Sequence, residues 1–215
     1  MLANRKGAAR MADPPSVVIV ASGRSVLNAR LGDRIDAFST VVRFQGFEQF
    51  TGAEPYVGSK VDICCVNGAW ESLHILDKQT IPLLQAAAPL YLWTPTALLP
   101  ERQALMAEIM TRHGCTWGSL PQERIRALAL RIGLTDGSPS SGTMIIDHFL
   151  AFEERIAIHG FDFIEPGFDL SAGNYSYYWD RFDRRLGRVS HNMDKERDHV
   201  LSLIRKGRVV RLADL

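Results

Sequence analysis

Short runs of consecutive apolar residues alternate along the chain with longer stretches in which apolar residues return every three or four positions. The run "VVIVA", residues 17–21, is β-branched and closed by Ser22 and Gly23, which predicts a strand buried on both faces. "STVVRF", "KVDICCV" ending at Asn67 and Gly68, "PLYLW" and "RIAIHGF" predict further strands, and "GRVVRL" predicts one near the end of the chain. Between them lie helical patterns: "SVLNARLGDRID", "PERQALMAEIMTRHG" and "QERIRALALRIG". In the last of these Ile125, Leu128, Ala129 and Ile132 form one stripe and Gly133 suits the residue just past the helix end. "SPSSGTMIIDHFLAFEE" reads as a loop turning into a helix, with Pro139, Ser140 and Ser141 at its entrance and Met144, Ile145, His148, Phe149 and Phe152 facing inward. Strand and helix in alternation predict an α/β protein: an open, mostly parallel sheet with helices on both faces, in a single Rossmann-like domain.

Length agrees with that organisation. A chain of 215 residues suits one domain with a full core, since domains run to ~100–200 residues. Residues 1–14, basic and lacking an apolar stretch, are expected to be a disordered lead-in, and 15–215 the domain. The balance of 25 basic against 24 acidic side chains gives no electrostatic footprint for a nucleic acid. No run approaches the ~20 apolar residues of a membrane span, so contact with a membrane would be peripheral. The three cysteines, Cys64, Cys65 and Cys115, show no CxxC spacing; the adjacent pair in an apolar run reads as small core hydrophobes, and a reducing cytoplasmic setting follows.

Candidate chemistry gathers in four places. The turn "ASGRS" after the first strand exposes backbone N–H groups that attract phosphate, although one glycine, Gly23, stands where a dinucleotide site needs three; a purely structural turn is the other reading. "PSSG", Pro139 to Gly142, is a second small-residue helix entrance, in which serine can serve simply as a cap. Together the two imply a ligand that contains phosphate. "YSYYWD", residues 175–180, places aromatics on a polar loop within 163–190, either as core filling or as a lid whose tyrosine hydroxyls reach a phosphate. His191 opens the final helix with Glu196 five residues on; it is a proton acceptor at the mouth of a site or a solvated histidine. His148 and His159 read as structural. No HxH, HExxH or DxD occurs, so no metal is expected.

In order, these pieces resemble the sialyltransferases of glycosyltransferase family 29. "VVIVASGRSVLNARLGDRIDAFSTVVRFQGF" through "YVGSKVDI" resembles the large sialyl motif, and "SPSSGTMIIDHFLAFEERIAIHGFDF" the small one. "YYWD", Tyr177 to Asp180, is similar to the third motif and "HNMDKE" to the very small one. Residues 70–135 carry no such likeness; in the family this region varies with acceptor. Two departures stand out. The asparagine usual beside the first turn is Ala21 or Ser22, and the one after "VVRF" is Gln45. The cysteines that join the large and small motifs in Golgi enzymes are absent, with Ser16 and Glu153 near those places, in keeping with a bacterial enzyme. The bacterial sialyltransferases of family 42 are similar more loosely, over Ala21 to Ser25 and at Asn67.

The resemblance implies the sialyltransferase variant of a GT-A-like fold and an inverting, metal-independent transfer of a sugar acid, sialic acid or Kdo, from its CMP ester to a glycan or glycolipid hydroxyl. His191 would be the general base and Glu196 a support for its segment. Tyr177, Tyr178, Ser140, Ser141, Gly142 and Thr143 would stabilise the leaving phosphate, while Ser22, Gly23, Ser25, Gln45 and Asn67 line the nucleotide. No cofactor is implied, and the setting would be the cytoplasm, including the inner face of the membrane. Rival readings are a cytidine-nucleotide-binding module without turnover and a phosphate-binding α/β enzyme of another class.

Overall fold

The computed structural model describes residues 14–49, 51–84, 89–95, 99–135, 137–165, 167–168 and 191–215. The expected lead-in, except Pro14, therefore lies outside the described residues, as do Tyr177, Tyr178 and the rest of "YSYYWD".

Seven strands form one sheet: β1 (Val17–Val20), β2 (Thr40–Phe44), β3 (Ile63–Asn67), β4 (Leu90–Thr94), β5 (Trp117–Ser119), β6 (Ile156–His159) and β7 (Val209–Arg211). Their order is β5-β4-β3-β2-β1-β6-β7, and every pairing is parallel. The helices that return the chain are α1 (Gly32–Asp36), α2 (Glu54–Val57), α3 (Trp70–Ile75), α4 (Ile81–Leu84), α5 (Pro100–His113), α6 (Gln122–Arg131), α7 (Ser141–Phe149) and α8 (Met193–Arg205). Helix α3 runs into α4 through a π-helical turn at Leu76–Thr80.

Successive strand side chains point to opposite faces, and the core divides accordingly. Val17, Ile19, Val42, Cys65, Leu92, Ile156 and Ile158 pack under Ile125, Leu128, Met144, Ile145 and Val200 of α6, α7 and α8. Val18, Val20, Val41 and Ala157 pack under Ile35 and Val57 of α1 and α2. Cys64, Val66, Tyr91 and Trp93 pack under Leu73, Ile81, Met106 and Ile109 of α3, α4 and α5. Burial on both faces explains the unbroken "VVIV" and "ICCV", and burial pushes the Cys64 and Cys65 thiols upward in pKa. Among the described residues no helix is long and apolar enough to cross a membrane.

Two local expectations fail, and one strand was not foreseen. "SVLNARLGDRID" is not one helix but a 3-10 turn at Arg24–Asn28 followed by α1. Gly32 sits so close to the Glu54 carbonyl that an added Cβ would fall 2.0 Å from it. Helix α7 stops at Phe149, so Phe152 lies beyond its inward stripe and is 72% exposed, under the Arg124 guanidinium. β5 is only three residues, too short for its alternation to register in the sequence.

The chain builds outward from β1 to β5, then returns to lay β6 and β7 on the other side of β1. The switch point lies between β1 and β6, and open α/β sheets bind ligands outside the carboxyl ends of the strands at such a point.

Candidate active site

The turn after β1 and the turn after β6 meet at that switch point. Gly23 N–H donates to the Gly160 carbonyl at 3.0 Å, and a Cβ on Gly23 would lie 2.2 Å from an Asp162 carboxylate oxygen. Only glycine fits there. Asp162 Oδ2 accepts from Arg24 N–H at 2.7 Å and Oδ1 from Ser25 N–H at 3.1 Å. The donors expected to cradle a phosphate at this turn thus hold the protein's own carboxylate. Ser22, preceding the turn, is 9% exposed.

The second entrance is filled in the same way. Glu196, fully buried, accepts from Ser140 N–H at 3.0 Å and from the hydroxyls of Ser140 and Thr143, both at 2.5 Å. Ser140 also caps α7, accepting from Thr143 N–H at 3.3 Å. These donors, expected to face a leaving phosphate, are committed to Glu196 instead. The N–H groups of Ser141 and Gly142 have no acceptor among the described residues, and they are what the helix end still offers. The Ser141 hydroxyl lies 2.9 Å from that of Thr94, which donates to the Val66 carbonyl and ties α7 to the carboxyl ends of β3 and β4.

His191 stands just before the Asn192 cap of α8. Its Nδ1 lies 2.8 Å from the Ser138 carbonyl. A carbonyl has no proton to give, so Nδ1 is the donor, and in the neutral ring the lone pair belongs to Nε2. The structure brings His191, Glu196 and Ser140–Thr143 together at the carboxyl edge of the sheet.

Two predicted nucleotide contacts behave differently. The Asn67 side chain, at the end of β3, accepts from Ala69 N–H at 2.9 Å and remains exposed. Gln45 turns its amide N–H toward the Ser72 carbonyl at 2.7 Å, in a network where Thr80 donates to Glu48 at 2.6 Å. Its amide nitrogen is therefore engaged with α3 and the π-helical turn.

Other landmarks prove to be braces. Asp36 accepts from the N–H groups of Ser59 and Lys60 and from the Ser59 hydroxyl at 2.9–3.0 Å. Burial alone would raise its pKa, but those bonds outweigh it and the net shift is downward. Buried Arg43 donates to the carbonyls of Lys60 and Val57. The Ser16 hydroxyl donates to Glu153 at 3.0 Å, joining the two positions where the resemblance places cysteines. His159 is held neutral, its pKa brought down to about 4 chiefly by burial; burial likewise lowers His148 and His199. His113, to which the sequence reading gives no role, meets Asp77 at 2.9 Å. The residue that reading missed is Asp162, whose one signal was its place in "HGFDF".

An all-parallel sheet with its switch point between β1 and β6, and an imidazole held through Nδ1 with no partner on Nε2 among the described residues, place the molecule in the open α/β class. The sequence profile described as Glycosyltransferase family 29 (sialyltransferase) matches residues 10–208. The chain belongs to that family and is a glycosyltransferase of the CMP-sugar class. No curated protein matches it. Its fold is similar to that of a mammalian sialyltransferase, with a TM-score of 0.62, 18% identity, and 91% of this chain and 68% of that one covered. It is also similar to the monofunctional α-2,3-sialyltransferase Cst-I of Campylobacter jejuni, with a TM-score of 0.59, 14% identity, and coverage of 94% and 77%. A third similar structure is the sialyltransferase CST-II in complex with a trisaccharide acceptor and CMP, with a TM-score of 0.55, 16% identity, and coverage of 91% and 80%.

Proposed function

We propose that the enzyme moves a sugar acid, with sialic acid as the first candidate and Kdo as the second, from its CMP ester to a glycan or glycolipid hydroxyl, with inversion and without a metal. The observation that carries this reading is the His191 hydrogen bond to Ser138, which leaves Nε2 free to take the proton of the attacking hydroxyl. The developing charge on the departing CMP phosphate falls to fixed donors. Ser141 and Gly142 N–H are the candidates on the described chain, and Tyr177 and Tyr178 are the candidates outside it. One phosphate carries less charge than a diphosphate, which supports departure without a cation. Ser22, Gly23, Ser25, Gln45 and Asn67 remain the proposed nucleotide lining, with Asn67 the most accessible. Glu196 acts by position: it binds the segment that carries the base to the entrance of α7. The free cysteines suit a cytoplasmic enzyme, with any contact at the inner face of the membrane peripheral.

The test is release of CMP from CMP-sialic acid and from CMP-Kdo, with and without EDTA, for the natural protein and for folded His191→Ala. Turnover that survives EDTA and falls about 10²–10⁴-fold in the variant is expected. Binding of CMP without consumption of either donor would replace the transferase by a nucleotide-binding module.

A further inference from the structure

The first turn of α8 holds both ends of the connection between α6 and α7, and the carbonyl that orients His191 lies between the two grips. Glu196 takes the far end, accepting from Ser140 N–H and from the hydroxyls of Ser140 and Thr143. Its neighbour Lys195 takes the near end: half-buried, it donates its ammonium to the Gly133 carbonyl. Gly133 is the residue just past α6, in the left-handed region with a φ of 74°. There the helix closes on itself, Gly133 N–H donating to the Leu130 carbonyl at 3.0 Å and Leu134 N–H to that of Ala129 at 2.9 Å. Leu134 and Pro139 are buried, and Ser138, which accepts from His191 Nδ1, stands next to Pro139.

Charge shows which element the lysine serves. A cation in the first turn of α8 opposes the positive end of that helix's dipole, whereas the carbonyls at the end of α6 are a negative end, where an ammonium is favourable. The contact therefore supports the connection rather than α8. A connection gripped at one end can still swivel about it; gripped at both, it cannot. Which imidazole nitrogen carries the proton is set by the hydrogen bond that the other makes. A Ser138 carbonyl that turns away from Nδ1 lets the proton settle on Nε2, which removes the lone pair that the reaction needs there. We propose that Lys195 is a positioning residue for the base: by holding the α6 end of the connection it keeps the Ser138 carbonyl on Nδ1 of His191. The catalytic part of this rests on the transferase reading given above; the orientation of the ring does not.

The test compares the natural protein with Lys195→Met, Lys195→Arg and Arg208→Met. Arg208 is the control: it grips α7 at the end opposite Ser138, donating to the carbonyls of Leu150, Glu153 and Glu154. Two readouts are taken. One is the nitrogen NMR signals of the His191 ring, assigned by their absence in His191→Ala; the other is steady-state transfer from CMP-sialic acid and CMP-Kdo to mixed glycan acceptors. In the natural protein the ring carries its proton on Nδ1. Lys195→Met moves it toward Nε2 and lowers kcat about ten- to a hundredfold at unchanged donor KM. Lys195→Arg keeps both near their natural values, and Arg208→Met lowers the urea midpoint without moving either. A ring and a kcat in Lys195→Met that match the natural protein overturn the proposal. So does an equal loss of kcat in Arg208→Met, because any loosening of α7 would then suffice. If the natural protein consumes neither donor, the transferase reading falls by itself; a ring that still responds to Lys195→Met keeps the clamp, and one that does not removes it as well.

Discussion

The two helix entrances at the carboxyl edge solve the same electrostatic problem with different degrees of commitment. At the Gly23 turn, Asp162 accepts from two backbone N–H groups among the described residues and lies in partly open surroundings. At the Ser140 entrance, Glu196 is wholly buried and accepts from a backbone N–H and two hydroxyls. A buried carboxylate is tolerated only when its lone pairs are satisfied, and Glu196 meets that condition with donors from 53 and 56 residues away in sequence. Asp162 keeps the shape of a glycine turn; Glu196 locks two segments, one of which begins at the proposed base.

The largest effect should come from removing the deeper clamp. Glu196→Ala strands a buried N–H and two hydroxyls and should lower stability by about 3 kcal/mol, read as a fall in the urea midpoint at unchanged slope, with kcat falling as Ser138 and His191 lose registry. A smaller effect is expected from acid. His159 closes β6, just before the turn that carries Asp162, and its pKa is brought down to about 4 by burial from an ordinary ~6.5. Below 6.5 the unfolded chain binds the proton that the folded one refuses, so stability is full above pH 6.5 and is lost as the pH falls toward 4. Roughly 2 kcal/mol should be gone by pH 5, and His159→Gln should flatten that slope in urea titrations at the two pH values. The mildest change should be Asp162→Asn, at about 1 kcal/mol, because one oxygen still accepts; donor KM should move more than kcat. If Asp162→Asn proves as costly as Glu196→Ala, the two entrances are equivalent and the contrast drawn between them is wrong.

The α/β class, the parallel strands and the helices from 100 onward could be read from the chain because a strand buried on both faces leaves an unbroken β-branched run and a covering helix leaves a stripe. Strand order could not: nothing in "VVIV" says that its neighbours are residues 40–43 and 157–159. His191, Glu196 and "PSSG" were legible as a group only through the order of the motifs. That Ser140 and Thr143 serve Glu196 was not, because hydroxyls at a helix entrance look alike whether their acceptor is a ligand or a carboxylate folded in from elsewhere. Asp162 was hidden for the same reason, since its partners are 137 and 138 residues distant.

The position of β1 carries a consequence for how the molecule comes into being. Of the seven strands β1 is the first to leave the ribosome, yet one of its two neighbours, β6, is made after all of β2 to β5. Pairings between segments so far apart form slowly, because the intervening loop must close before any contact rewards it. The junction of β1 and β6 is thus among the last parts of the nascent protein to exist. Until residue 159 has emerged, β1 presents an unpaired edge, and the hazard of misassembly during synthesis is concentrated at the seam where the substrates are proposed to bind.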